Sequence, residues 1–178
     1  DELLNLDWQN ACGIGAIAGY KNLRVLDIDG CNHYEFVKDL LKILNLPDDY
    51  EWVIKSGSRN GYHIYFYTDE NDDENKNFFK SDEINYFYEK YGKKGLPYLK
   101  YENSEFYTAT FYPNIDNSAL FERIDFMWKS NVILPYSYHK STYRYSFVNK
   151  TPCNSPLKIN HKKLFTIVNC FLLHEYYD

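Results

Sequence analysis

Asp27 and Asp29 stand two positions apart in the run Leu23-Arg24-Val25-Leu26-Asp27-Ile28-Asp29-Gly30. On a β-strand such residues project to the same side of the sheet, so both carboxylates face one way. Holding two like charges together among apolar neighbours raises the free energy unless a cation lies between them. A hard divalent ion, Mg²⁺ or Mn²⁺, therefore suits the pair. The plain alternative is a solvated strand-to-turn pair, because Asp-Gly is itself a turn signal. Asp125, in Glu122-Arg123-Ile124-Asp125-Phe126-Met127-Trp128, adds a third carboxylate in a mainly apolar and aromatic strand. It fits a metal cluster, or else an edge-strand aspartate that faces water.

A second constellation is Ser56-Gly57-Ser58-Arg59-Asn60-Gly61-Tyr62-His63, which runs straight into Ile64-Tyr65-Phe66-Tyr67. A glycine-bearing loop can turn successive backbone N–H groups inward as an anion nest, and Ser56, Ser58 and Arg59 add donors. His63 at the strand edge can donate to a phosphate oxygen, which makes phosphate the natural guest. The competing reading is an ordinary Ser/Gly/Asn hairpin with a histidine hydrogen-bonded in place.

The elements that must position these residues follow from periodicity and punctuation. Apolar runs at Gly13–Ala18 and Leu23–Ile28 read as strands. Asn32 followed by Glu35 makes a capping box, and Phe36, Val37, Leu40, Leu41 and Leu44 keep helical spacing until Pro47. Glu51–Lys55 and Tyr62–Thr68 read as strands around the Ser/Gly loop, with a charged loop over 69–76. Ser81 caps an expected helix that ends at Gly92, and Tyr98–Tyr112 is expected to be extended. Phe121–Trp128 and Val132–Tyr136 suggest a hairpin across Lys129-Ser130-Asn131, with one more strand at Tyr143–Val148. After a Thr151–Pro156 linker, Asn160 caps a final helix carrying Leu164, Phe165, Val168, Phe171 and Leu172. The mixture predicts an α+β or α/β domain with a mostly antiparallel or mixed sheet.

The 178 residues, 44% of them apolar, suffice for one compact domain with a real core. No window approaches the ~18 uninterrupted apolar residues of a membrane span. Residue 1 is Asp with no signal stretch, so the chain reads as a soluble, cytoplasmic piece of something longer. Cys12, Cys31, Cys153 and Cys170 form no CxxC pair, and free thiols are expected. The formal charge of −5 hides an asymmetry: residues 1–125 hold 23 acidic side chains against 13 basic, and residues 126–178 hold 2 against 7. Such a basic third can attract a polyanion, although a chance surface fluctuation is an equal reading.

Taken in order, Gly13-Ile14-Gly15 with Gly19, Leu26-Asp27-Ile28-Asp29, Ser56 to His63 with Ile64-Tyr65-Phe66, and Ile124-Asp125 resemble the archaeo-eukaryotic primase superfamily. The resemblance is to its bifunctional primase-polymerase branch, and it continues through Val132-Ile133-Leu134-Pro135-Tyr136-Ser137 and Tyr143-Arg144-Tyr145-Ser146-Phe147. It spans roughly residues 10 to 148, with order and spacing more specific than any single motif. The glycines usual after the third motif are absent, Tyr136 interrupts what is often Pro-Pro-Ser, and residues 70–120 match nothing.

The resemblance implies an archaeo-eukaryotic primase-like catalytic domain with an RRM-like half over 1–156, residues 70–120 being a variable insertion. A C-terminal helix over 157–178 would lead to further domains, such as helicase or CRISPR-adaptation partners. The implied activity is template-directed priming and polymerisation, the transfer of a nucleotidyl group from an NTP or dNTP to a 3′-hydroxyl. Asp27, Asp29 and Asp125 would hold Mg²⁺ or Mn²⁺. His63, helped by Ser56, Ser58 and Arg59, would contact the triphosphate. Lys129, Lys140 and Arg144 would line the path of the DNA template or primer.

Val25 to Gly30 also looks like the nucleophile motif of a haloacid dehalogenase-type phosphohydrolase, with Asp27 attacking phosphorus and Asp29 as acid/base. That reading needs a later Lys and a strand-end acidic pair, yet Asp48-Asp49 and Asp72-Asp73 fall in turns, and Cys31 replaces the expected Thr or Val. It also leaves His63 unexplained. A third reading is a non-catalytic module that binds nucleotides or nucleic acid.

Overall fold

The structure, a computed structural model, describes residues 11–69, 98–102, 106–113, 115–140, 143–167 and 170–171. Its strands are β1 (Gly15–Ile17), β2 (Leu23–Asp29), β3 (Val53–Lys55), β4 (Gly61–Thr68), β5 (Tyr98–Glu102), β6 (Phe106–Phe111), β7 (Arg123–Lys129), β8 (Asn131–Ile133), β9 (Ser146–Phe147) and β10 (Lys158–Ile159). Helix α1 spans Tyr34–Ile43 and α2 spans Lys163–Ile167. The main sheet runs β5-β6-β7-β2-β4-β3-β9, all antiparallel, and β10 adds to β4 in parallel. The fold is α+β, mostly sheet.

Strand alternation sends Leu26 and Ile28 of β2, Ile64 and Phe66 of β4, and Ile124 and Phe126 of β7 to one face. There they meet Phe36, Val37, Leu40 and Leu41, the apolar stripe of α1. Full burial of each such side chain contributes about 1.5–3 kcal/mol, so this face carries most of the fold's stability. Phe36 stacks on Phe121 with ring centroids 4.8 Å apart. Beyond the last helical turn Asn45 takes a left-handed φ of 58°, and the Leu46 N–H donates to the Leu41 carbonyl at 2.8 Å. That is a Schellman-type stop, reinforced by Pro47. The helix is capped one residue later than expected: His33 is the N-cap and makes no side-chain cap bond. Asn32 lies one residue outside that cap, and its side-chain amide donates to Asn60 Oδ1 at 2.9 Å, tying the start of α1 to the Ser56–Asn60 loop.

The opposite face holds a smaller cluster of Ala18, Val25, Ile54, Tyr65, Val132 and Tyr145. A second, two-stranded sheet of β1 and β8 contributes to it, with Gly15 opposite Ile133 and Ile17 opposite Asn131. The expected β7–β8 hairpin is therefore not formed. Both edges of β7 are already paired, to β2 and β6, so the chain at Ser130 must leave the main sheet. The Ser130 carbonyl accepts from the Ala18 N–H at 2.8 Å as it does so. Ser137 fastens this layer, its Oγ accepting from the Ile14 N–H at 2.8 Å and donating to the Ile14 carbonyl at 3.2 Å.

Within Tyr98–Tyr112 the described strands are β5 and β6, and of Tyr143–Val148 only Ser146–Phe147 pairs regularly, with β3. Of the C-terminal stretch, the described part holds β10, which pairs with the end of β4 beyond β3, and then α2. Asn160 Oδ1 accepts from the Lys162 N–H at 2.9 Å at the start of α2, and Ile159, Leu164 and Ile167 join the main core. The expected Ser81–Gly92 helix lies outside the described residues.

Gly61 opens β4 directly opposite Asp29, and a Cβ there would sit 2.5 Å from the Ile28 carbonyl oxygen. Backbone on backbone cannot yield cheaply. Gly61→Ala is expected to lower the thermal midpoint by about 4–8 °C, for an overpacking cost of about 2 kcal/mol. An unchanged midpoint in a thermal melt contradicts the close approach.

Candidate active site

Sheet register brings the distant candidates into one row. On β2, Asp27 lies opposite His63 of β4 on one side and opposite Asp125 of β7 on the other. Thr110 of β6 is opposite Asp125, and Arg123 is opposite Asp29. Directly opposed residues hold their Cβ atoms ~4.5–5.5 Å apart, so the row is a contact row. Asp27, Asp29, Asp125 and His63 all occupy the sheet face that α1 does not cover. The β1–β8 layer and Tyr145 shelter the Val25 end of that face, and the carboxylate end stays partly open.

The three carboxylates each offer an oxygen, and these atoms lie within 4.8 Å of one another. His63 Nε2 is 3.1 Å from Asp27 Oδ1, close but not aligned as a hydrogen bond. Asp27 Oδ1, Asp125 Oδ1 and His63 Nδ1 are consequently buried polar atoms without a hydrogen-bond partner among the described residues. Orphaned anionic oxygens of this kind are expensive in a bare protein. Arg123 approaches from the solvent side, with Nη2 2.6 Å from Asp29 Oδ2 and Nε 3.5 Å from Asp125 Oδ2. The Thr110 hydroxyl also hydrogen-bonds Asp125.

Burial pushes the Asp29 carboxyl above its ordinary pKa, the Asp27 charge adds to the rise, and Arg123 opposes it. Asp125 is likewise raised, chiefly by burial, against the pull of Thr110 and Arg123. Two orphaned oxygens and an all-oxygen anionic donor set fit a hard divalent cation.

His63 is 6% exposed, its ring 5.4 Å from that of Tyr145 and 6.2 Å from that of Tyr65. Burial raises the pKa of both tyrosines, so their hydroxyls stay neutral at pH 7. The Tyr65 hydroxyl donates to the Ile133 carbonyl at 2.7 Å, which locks the β4 face against β8.

The Ser56–Asn60 loop sits at the Asp29 end of β2, where the Gly30 N–H donates to the Asn60 carbonyl at 2.9 Å. The inward nest of amides is not what forms at three of its positions. The Ser56 N–H donates to the Gly61 carbonyl, the Arg59 N–H to the Ser56 carbonyl and the Asn60 N–H to Ser58 Oγ. A tight hairpin turn uses those amides internally, and the Ser56 and Ser58 hydroxyls bond each other at 2.6 Å. Arg59, at a left-handed φ of 66°, holds its guanidinium 5.2 Å from the Tyr143 ring.

The three basic candidates lie outside the carboxylate row. Lys129 is at the far end of β7, roughly 13 Å along the strand from Asp125, beside Gly19. Arg144 donates to the Tyr136 carbonyl at 3.1 Å and to the Tyr138 hydroxyl at 2.6 Å, and stacks on the Tyr138 ring. Lys140 is exposed. Sequence reading gave no role to Arg123, Thr110 or Tyr145. For Arg123 a signal existed, since it precedes Asp125 by two and must share its face. Thr110 is placed by its pairing opposite Asp125, and Tyr145 by backbone hydrogen bonds with Tyr136 and Ser137.

A family model described as the N-terminal domain of bifunctional DNA primase/polymerase matches residues 3–160. The chain belongs to the bifunctional DNA primase/polymerase family. No curated protein and no solved structure matches it. The primase/polymerase match takes in the Asp27-Ile28-Asp29 run, the Ser56–His63 stretch and Asp125 together, whereas the dehalogenase-type resemblance accounts only for Val25–Gly30. Among the described residues no helix is long and apolar enough to cross a membrane.

Asp125 titrates above its unfolded value, so its contribution to stability is present below the ordinary carboxylate pKa of ~4 and lost as pH rises through the folded-state value. In metal-free protein, Asp125→Asn is expected to raise the thermal midpoint at pH 7.5 by about 2–4 °C, with the gain vanishing near pH 4. Saturating Mn²⁺ should stabilise the wild type and do much less for the variant. Melts that show no gain at pH 7.5 and equal Mn²⁺ effects contradict this account of the cluster.

Proposed function

We propose that this domain is a template-directed DNA/RNA primase-polymerase, transferring nucleotidyl groups from an NTP or dNTP to a 3′-hydroxyl. The observation that carries the reading is the convergence of Asp27, Asp29 and Asp125, with orphaned carboxylate oxygens, beside an orphaned histidine nitrogen. Family membership supports the same reaction class.

Asp27, Asp29 and Asp125 are the residues that would hold Mg²⁺ or Mn²⁺. Such a cation, when bound, supplies charge stabilisation for the α-phosphate and the departing pyrophosphate and lines up the attacking hydroxyl. The carboxylates must be ionised to accept it. His63, whose Nε2 lies in the carboxylate row 3.1 Å from Asp27 Oδ1, would donate from its imidazole to a triphosphate oxygen. Its ring packs 5.4 Å from that of Tyr145. Ser58 and Arg59, with Ser56 behind them, extend this donor surface at the Asp29 end of the site. Lys129, Lys140 and Arg144 lie on the basic third of the chain, suited to the phosphates of a template or primer.

In this reading the catalytic unit has an archaeo-eukaryotic primase-like fold with an RRM-like half in the sheet backed by α1, and β10 and α2, which join its sheet and core, carry it past the expected boundary at residue 156. Strands β5 and β6, inside the stretch 70–120 expected as a variable insertion, pair into the main sheet. Partners such as helicase or CRISPR-adaptation proteins would act with it, in a protein we assign to the cytoplasm on its free cysteines.

Synthesis with and without a primer, from both nucleotide pools and with each metal, tests the proposal. Asp27→Ala combined with Asp29→Ala is expected to lower kcat by about 10³-fold or more while circular dichroism stays unchanged. Robust polymerisation by that double variant rules the mechanism out, and nucleotide binding without any synthesis by the wild type indicates a non-catalytic module. His63→Ala is expected to weaken triphosphate binding about tenfold, the scale of a lost charge-assisted hydrogen bond. Unchanged affinity in a binding titration removes its assigned role.

A further inference from the structure

Among the described residues, the permanent positive charge in contact with the carboxylate cluster is Arg123. It touches two of the three acids, Asp29 at 2.6 Å through Nη2 and Asp125 at 3.5 Å through Nε. Its side chain is 46% exposed, so the guanidinium reaches in from solvent on a long stem. The cluster is asymmetric as a result. Asp27 Oδ1 and Asp125 Oδ1 are left without partners, whereas Asp29 has an oxygen already engaged by a cation.

A divalent ion that draws on all three carboxylates must share Asp29 with Arg123 or take it. Arginine keeps its charge at any accessible pH, so proton loss cannot relieve the conflict. Two cations on one carboxylate repel, and relief comes only from movement of the side chain. Arg123's 46% exposure gives the guanidinium room to move toward solvent. The same residue has the opposite effect on the metal-free protein, where it screens acids that otherwise crowd within 4.8 Å of one another.

We propose that Arg123 is a tethered counter-cation, which holds Asp29 and Asp125 together in the metal-free protein, competes with the divalent ion for Asp29, and thereby sets how tightly the cluster takes that ion. The proposal rests on the metal-binding reading of the three carboxylates. Arg123 is a positioning residue on this account, acting through Asp29 rather than on the reacting atoms.

Calorimetric titration of the whole chain with Mn²⁺ alone, in the absence of nucleotide, tests it. Arg123→Gln is expected to bind Mn²⁺ about fivefold or more tightly than the wild type, the lower end of ordinary site-to-site coupling. Its metal-free thermal midpoint should fall while the Mn²⁺-induced rise grows. Arg123→Lys keeps the charge but loses the two-point fork, so its affinity should lie between the two. Detectable Mn²⁺ binding by Arg123→Gln but none by the wild type supports the proposal in its strongest form. Affinity unchanged or weakened in Arg123→Gln, with wild-type binding measurable, overturns the competition and leaves the carboxylate reading standing. No binding by either protein overturns both. If Arg123→Gln does not fold, Arg123→Lys decides by the same comparison: tighter binding than the wild type supports the proposal, and equal or weaker binding overturns it.

Discussion

Strand register across β7, β2 and β4 is the constraint on which the site depends. Asp125, Asp27 and His63 are nearly a hundred residues apart at the extremes, and they meet because each is directly opposite the next. Strands alternate faces with period two, so a slip of one residue in any of the three would turn a functional side chain into the apolar core. What prevents the slip is the other face. Leu26, Ile28, Ile64, Phe66, Ile124 and Phe126 must all remain against α1, and moving one set moves the other. Hydrophobic burial on one side of the sheet thus specifies electrostatic placement on the other.

That placement is locally unfavourable in the bare protein. Three acids share a half-sheltered surface, burial raises the pKa of two of them, and two of their oxygens lack partners. The compensation is divided. Thr110 and Arg123 relieve Asp125, Arg123 relieves Asp29, and the helix-backed core supplies the stability that lets the arrangement persist. Carboxylates placed in this way could hold a cation on the existing sheet frame. The covering layer is equally selective. β1 and β8 shelter Val25 and Tyr65 but stop short of Asp29, which separates a dry end of the face from an open one.

Much of this was legible locally. The Asp27-Ile28-Asp29 spacing required a shared face, the Phe36–Leu44 periodicity required a helix, and Pro47 ended it. The hairpin expected across Lys129-Ser130-Asn131 was misread because a turn signal says nothing about whether a strand's edges are already taken. Asn32 looked like a cap but lies one residue outside it, bonded to Asn60. The Ser56–Asn60 loop had the composition of an anion nest, yet the same composition closes a tight hairpin, and its amides went to the turn. Strand β10 carries two paired residues, too few for any period to show. Arg123 was hidden in plain sight, since charge beside charge on a strand resembles an ordinary solvated pair until the register reveals what it touches.

Diffraction from crystals grown with Mn²⁺, collected at a wavelength where manganese scatters anomalously, tests the central claim most directly. The account predicts an anomalous peak bounded by oxygens of Asp27, Asp29 and Asp125 on the open face of the sheet. Crystals in which those three carboxylates lie apart, or in which they stay together while manganese occupies only other sites, would contradict it.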